Sequence, residues 1–128
     1  MADGPVTITV RFDVGLTSPN LRLHWAERGR RAWRARALAT SAWREAGCPT
    51  MTSPVDVSLL VRRARRLDLD NLIASCKGAI DGLFNEAITP DDSETWVRSL
   101  RVAQETGKQW KGAEEVVVTI TPVESLDE

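Results

Sequence analysis

An α+β fold is predicted by three features of this chain. Four stretches alternate apolar and polar residues with a period of two. Two stretches repeat apolar residues with a helical period. The two kinds follow one another in the order β-α-β-α-β-β. Strands that bury one face and helices that bury one stripe must cover each other, which points to a mixed four-stranded sheet with two helices packed on one face. At 128 residues there is material for one modest core, so a single small domain over 1–128 is expected, with 1–4 and 124–128 fraying at the ends.

The first strand is expected from Val6 to Val14, with Val6, Ile8, Val10 and Phe12 on the buried side and Thr7, Thr9, Arg11 and Asp13 opposite. Ser18-Pro19-Asn20 then breaks the pattern, since proline fixes φ and asparagine bonds to nearby backbone. From Trp25 to Ala46 the spacing is helical. Trp25, Ala32, Ala35, Ala39, Ala42, Trp43 and Ala46 form one broad stripe, and Arg30, Arg34, Ser41 and Arg44 face away. So many alanines imply close approach to the sheet, with tryptophans filling the gaps. Gly47 and Pro49 end the helix.

A second strand follows from Pro54 to Arg63, through Val55, Val57, Leu59 and Val61. A second helix is expected from Leu72 to Phe84, with Leu72, Ile73, Cys76, Ala79, Ile80 and Leu83 on its inner side; Asp70, Asn71 and Ser75 are all acceptable N-caps. Thr89-Pro90-Asp91-Asp92 is a loop. Trp96 to Val102 reads as a strand with Trp96, Arg98, Leu100 and Val102 on one face, 107–112 as a polar turn, and Val116, Val118 and Ile120 as the last strand. The last two strands are close enough in sequence to form a hairpin.

Composition narrows the function classes. No apolar run approaches the length of a membrane span, and Met-Ala-Asp-Gly-Pro lacks the basic-then-apolar order of a signal peptide, so no membrane partner and a cytoplasmic location are expected. Cys48 and Cys76 make neither a disulfide framework nor a metal-type spacing. The formal net charge of −1 hides an uneven distribution. Residues 20–46 carry a surplus of five positive charges, Arg62, Arg63, Arg65 and Arg66 add four more, and 112–128 carries five acidic residues without a base.

The basic run leads into Arg65-Arg66-Leu67-Asp68-Leu69-Asp70-Asn71. On extended backbone, residues i and i+2 share a face, so Asp68 and Asp70 are expected to converge on one hard cation. Two or three carboxylates suffice to hold Mg²⁺, which keeps several waters. Asp68, Asp70 and one of Asp91 or Asp92 supply such a set if the two acidic clusters meet in space. A cation there polarises a phosphoryl oxygen and activates water, so the expected chemistry is cleavage of nucleic-acid phosphodiesters with Mg²⁺, or Mn²⁺ as substitute. Lys77 is the lysine nearest the motif. Blander roles stand beside these: Asp70 as a helix cap, Asp91 and Asp92 as turn residues, Lys77 and Asp81 as an i, i+4 surface pair, and the arginine face as simply solvated.

Taken in order, Arg66-Leu67-Asp68-Leu69-Asp70-Asn71-Leu72, Lys77, Asp81-Gly82-Leu83 and Asp91-Asp92 resemble the RusA family of Holliday junction resolvases. Ser18-Pro19-Asn20-Leu21-Arg22 resembles the family's asparagine-bearing loop, and the element order matches. The resemblance implies a homodimeric, Mg²⁺-dependent endonuclease of phage or prophage origin that nicks four-way DNA junctions in recombination and repair. It implies Asp68, Asp70 and Asp92 as catalytic metal ligands, Asp91 as their neighbour, and Lys77 as the catalytic lysine. In the family's best-known form the lysine follows the second aspartate by four residues; here the interval from Asp70 to Lys77 is three longer. Either the extra residues form a loop with Ser75 as the cap, placing Lys77 in the first turn, or the helix starts at Asn71 and Lys77 stands two turns in.

Phosphate neutralisation supplies most of the affinity for nucleic acid. Arg22, Arg62, Arg63, Arg65 and Arg66, with Asn71, are the expected DNA contacts, and Arg28, Arg30, Arg31 and Arg34 are further candidates. His24 is expected to be a helix-entry residue without catalytic duty. Trp25 and Trp110 are candidates for stacking on unpaired bases, although tryptophans at helical spacing more often belong to a core. Two alternatives to a junction resolvase follow: a non-catalytic module that binds branched nucleic acid, and a nuclease acting on flaps, forks or other branched DNA.

Overall fold

The computed structural model describes residues 5–18, 22–47, 54–83 and 97–123. The elements are β1 (Val6–Val10), α1 (Trp25–Glu45), β2 (Val55–Arg63), α2 (Leu69–Ser75), α3 (Lys77–Leu83), β3 (Val97–Thr106) and β4 (Glu115–Pro122). The expected α+β class holds: among the described residues one mixed four-stranded sheet runs in the order β1-β4-β2-β3. β4 is antiparallel to both its neighbours, and β3 lies parallel to β2 along the far edge.

That order corrects the expected hairpin. β4 does not pair with β3; it inserts between β1 and β2. A parallel pair needs a long crossover, and the chain from β2 to β3 supplies one through α2 and α3. The charges agree with the placement. β4 carries Val116, Val117, Val118 and Ile120 and takes a central position, whereas β3 carries Arg98, Arg101 and Glu105 and takes an edge.

One sheet face builds the core. Its rows are Ile8-Val118-Leu59-Val102 and Val10-Val116-Val61-Gln104, with Val57 and Ile120 beside them. Ala39 and Trp43 of α1, Leu72 of α2, Cys76, and Ala79 and Leu83 of α3 pack in the same cluster. Trp43 is fully buried, whereas Trp25, Ala32 and Ala46, expected on the same stripe, are exposed.

The small residues of α1 serve α3 more than the sheet. A Cβ at Gly82 would lie 2.5 Å from the carbonyl oxygen of Arg36, and one at Gly78 would lie 3.1 Å from that of Ala32 and 3.2 Å from the Ala35 methyl. Glycines four apart let α3 sit against the backbone of α1, and the Thr40 hydroxyl donates to the Gly82 carbonyl at 3.2 Å.

β1 and β3 differ most from expectation in their bounds. β1 stops at Val10 because Asp13 starts a 3-10 turn over Val14–Thr17, its Oδ1 accepting from the Gly15 amide at 2.8 Å. β3 continues to Thr106, and its register slips by one residue at Arg98, so Arg98 leaves the face shared by Leu100 and Val102. Hydrogen bonds from Arg98 and then Ser99 secure that slip and hold the Asp56 carboxyl below the usual carboxylate range.

The other sheet face is polar. Arg62 donates to Glu105 at 2.8 Å and to Glu115 at 3.0 Å, Arg11 donates to the second oxygen of Glu115 at 3.0 Å, and the Trp110 ring lies 5.0 Å from the Arg62 guanidinium. Glu115 is thus a buried carboxylate held between two cations. No helix among the described residues is long and apolar enough to cross a membrane.

Candidate functional site

The Asp68 corner lies where β2 leaves the sheet. After Arg63 the chain turns through Ala64, Arg65 and Arg66, and Leu67 packs against the core. The Leu67 amide donates to Gln104 Oε1 at 3.0 Å, and Gln104 Nε2 donates to the Leu67 carbonyl at 2.8 Å. One side chain of the edge strand thereby replaces a rung of sheet pairing and fixes the backbone just before Asp68. Gln104 was not among the residues expected at the site. Its signal was a polar side chain at an inward position of a strand, in register with Val61.

Asp68 stands at the N-cap of α2 with extended backbone, φ −62° and ψ 150°, yet its carboxylate makes no capping hydrogen bond. Asp70 lies in the first turn, inside the helix, which excludes the N-cap role considered for it. Helix begins at Leu69, so the expected extended i, i+2 alignment of the two carboxylates is replaced by one extended and one helical residue. Both aspartates are exposed at the same corner, and Asp70 Oδ1 accepts from the Asn71 amide at 3.0 Å.

Lys77 lies in the first turn of a helix, as the first expected arrangement had it, but the residues before it are helix and not loop. α2 starts before Asn71, and Ser75 closes it instead of capping a new helix. At Cys76 the ladder tightens, its amide bonding to the Ile73 carbonyl at 3.2 Å, and Lys77 opens α3. Lys77 Nζ lies 3.6 Å from Asp81 Oδ1, the i, i+4 pair. Lys77 lines a cleft of about 330 Å³ with Ala74, Ser75, Asp81, Arg28 and Leu16. Asp70 stands one helical turn before Ala74, and neither Asp68 nor Asp70 lines this cleft. The Ser75 hydroxyl is buried there without a hydrogen-bond partner among the described residues, and the Thr17 hydroxyl donates to the Ser75 carbonyl at 2.6 Å, joining the turn after β1 to the end of α2. Next to it, burial pushes the Cys76 thiol up to about 12, which keeps it protonated and unreactive.

The arginines divide by partner. Arg62 is held on the outer sheet face by Glu115 and Glu105, whose hydrogen bonds raise its pKa further. Arg63 points the other way, 3.2 Å from Asp13 and bonded to the Arg65 carbonyl. It passes directly over Gly15, where any Cβ would collide with its guanidinium. Arg22, Arg65 and Arg66 are exposed, and Asn71 is half-buried. His24 has the entry role expected of it: its Nδ1 accepts from the Ala26 amide at 3.2 Å and caps α1.

Asp91 and Asp92 lie outside the described residues, as do Asn20 and Cys48. Among the described residues no three His, Cys, Asp or Glu side chains come together as a metal-binding group. The donor chemistry of Asp68 and Asp70 nevertheless suits a hydrated Mg²⁺, which takes oxygen ligands and can be held by one or two carboxylates with waters and substrate phosphates. No protein-family model matches this chain, and no curated protein matches it.

Proposed function

We propose that this chain is a Mg²⁺-dependent, structure-selective DNA endonuclease of the RusA type, resolving four-way junctions by paired nicks. The observation that carries this is the Asp68 corner: an exposed carboxylate at a helix N-cap that does no capping, beside Asp70, behind the exposed Arg65 and Arg66. An exposed carboxylate with no capping bond among the described residues, next to cations that attract a polyanion, suits a metal site for phosphodiester chemistry.

Asp68 and Asp70 would hold the ion, with Asp92 as third ligand and Asp91 beside it. Bound there, Mg²⁺ supplies Lewis-acid polarisation of the phosphate and an activated water. Arg65, Arg66 and Arg22 neutralise phosphates, and Lys77 stands ready to exchange Asp81 for a substrate oxygen. Two nicks in strands of like polarity call for two sites, which a two-fold homodimer provides.

The test is cleavage of a synthetic four-way junction, with flaps and forks as comparison substrates, in Mg²⁺ and in Mn²⁺. Wild-type protein should nick the junction symmetrically, and Asp70→Asn should abolish nicking while keeping or strengthening binding. Cleavage by Asp70→Asn at the wild-type rate would refute the proposal. The Lys77–Asp81 pair favours one rival, a non-catalytic module for branched DNA; wild-type protein that binds junctions but cuts none of the panel would establish it.

A further inference from the structure

We infer that the open groove along α1 is a stacking site for unpaired bases of a DNA strand. It rests on the nucleic-acid part of the proposed function and not on catalysis. Trp25 and Trp33 are 79% and 67% exposed. Both line one groove of about 1190 Å³, whose apolar wall includes Phe12, Leu16 and Leu38. A helix that buries Trp43 completely leaves these two indoles largely in water, with His24 tilted beside Trp25 at 5.3 Å and the Arg36 guanidinium 5.4 Å from the Trp33 ring.

Along the helix backbone the two residues stand two turns apart, about 12 Å in axial rise, which is the span of roughly three or four nucleotides rather than one base. Between them the floor is Gly29. Glycine weakens a helix interior, and a Cβ at Gly29 would meet nothing within 4 Å, so internal packing does not require it. A bare floor between two exposed indoles suits a flat ligand that must come close to the backbone.

Charge selects the ligand. Arg11, Arg30, Arg31 and Arg34 line the groove; Arg11 is shared with Glu115, Arg30 and Arg31 share the one Glu27, and Asp13 faces Arg63, so the lining keeps a positive surplus. Aromatic faces flanked by guanidiniums bind single strands, bases on the rings and phosphates on the cations. A second copy seated on this surface across a two-fold axis would set these arginines against themselves. Leu16 borders both this groove and the Lys77 cleft, so an unpaired strand lying here leads toward Lys77.

The experiment is fluorescence anisotropy with a labelled oligothymidylate and with the four-way junction, on wild type, Trp25→Ala, Trp33→Ala, Trp33→Phe and Arg34→Gln. Each Trp→Ala change should weaken oligonucleotide binding about tenfold with an unchanged salt slope, and Trp33→Phe should recover most of the loss. Arg34→Gln should instead lower the slope by about one. Thermal midpoints close to wild type are expected, because both rings are exposed. Iodide quenching of wild-type tryptophan emission, reduced by the oligonucleotide, provides a check without any variant. Trp→Ala binding within about twofold of wild type, no binding by wild type, or loss of self-association in place of DNA binding each overturns the inference. Wild type that cuts junctions while its Trp→Ala variants bind undiminished sinks the stacking site alone. Wild type that binds through the tryptophans but never cuts sinks the nuclease alone.

Discussion

Gln104 occupies an inward position of β3 where a two-residue period favours an apolar side chain, and both of its amide groups are spent on the Leu67 backbone. Replacing it with alanine leaves a half-buried amide and carbonyl without partners, at a cost of about 1–3 kcal/mol. Gln104→Ala should therefore unfold at lower urea, and the Leu67 amide should lose its protection from hydrogen exchange while the core strands keep theirs. Undiminished Leu67 protection would contradict the clamp. At this scale the sequence shows which residues can do chemistry better than where they point. Trp25 and Trp43 share a helical stripe on paper, yet one is exposed and the other fully buried, because the core lies under the C-terminal half of α1. Ile73 likewise has the right period for the core and is 46% exposed, while its neighbour Leu72 is fully buried.

Elements were legible where local pattern decides them. The spans expected for α1 and β2 differ from the observed ones by a residue at one end. The second helical stretch was legible as helix but not as two helices. Its break at Cys76 follows from tertiary packing, where Gly78 and Gly82 draw α3 against the α1 backbone. That packing makes a prediction with a definite sign. Gly→Ala in a helix interior ordinarily stabilises by about 1 kcal/mol through helix propensity. Gly82→Ala should instead destabilise by about 1–3 kcal/mol, because its methyl meets the Arg36 carbonyl and the helices must part. Chemical denaturation reads the difference directly, and a stabilised Gly82→Ala protein would contradict the close α1–α3 approach.

On the scale of the whole molecule, the strand order was the least legible feature. Short separation in sequence favours a hairpin between the last two strands, but burial prevails: the valine-rich β4 takes the centre and the charged β3 the edge. That exchange positions the candidate site, because it puts β3 beside β2 and Gln104 within reach of Leu67. The basic first half noted in the sequence becomes two surfaces, the α1 groove and the turn carrying Arg65 and Arg66; Arg62 and Arg63 are held by acids of the chain itself, and Arg11, Arg30 and Arg31 of the groove are shared with Glu115 and Glu27. The acidic corner was legible as a motif, although its extended geometry was not. In the proposed site Asp68 and Asp70 share one divalent ion with Asp92, far along the chain. Mn²⁺ titration followed by electron paramagnetic resonance, on wild type and on Asp68→Asn, Asp70→Asn and Asp92→Asn, tests that sharing most directly. Each substitution should weaken Mn²⁺ binding by roughly tenfold or more; wild-type affinity in Asp70→Asn and Asp92→Asn would contradict a shared metal site.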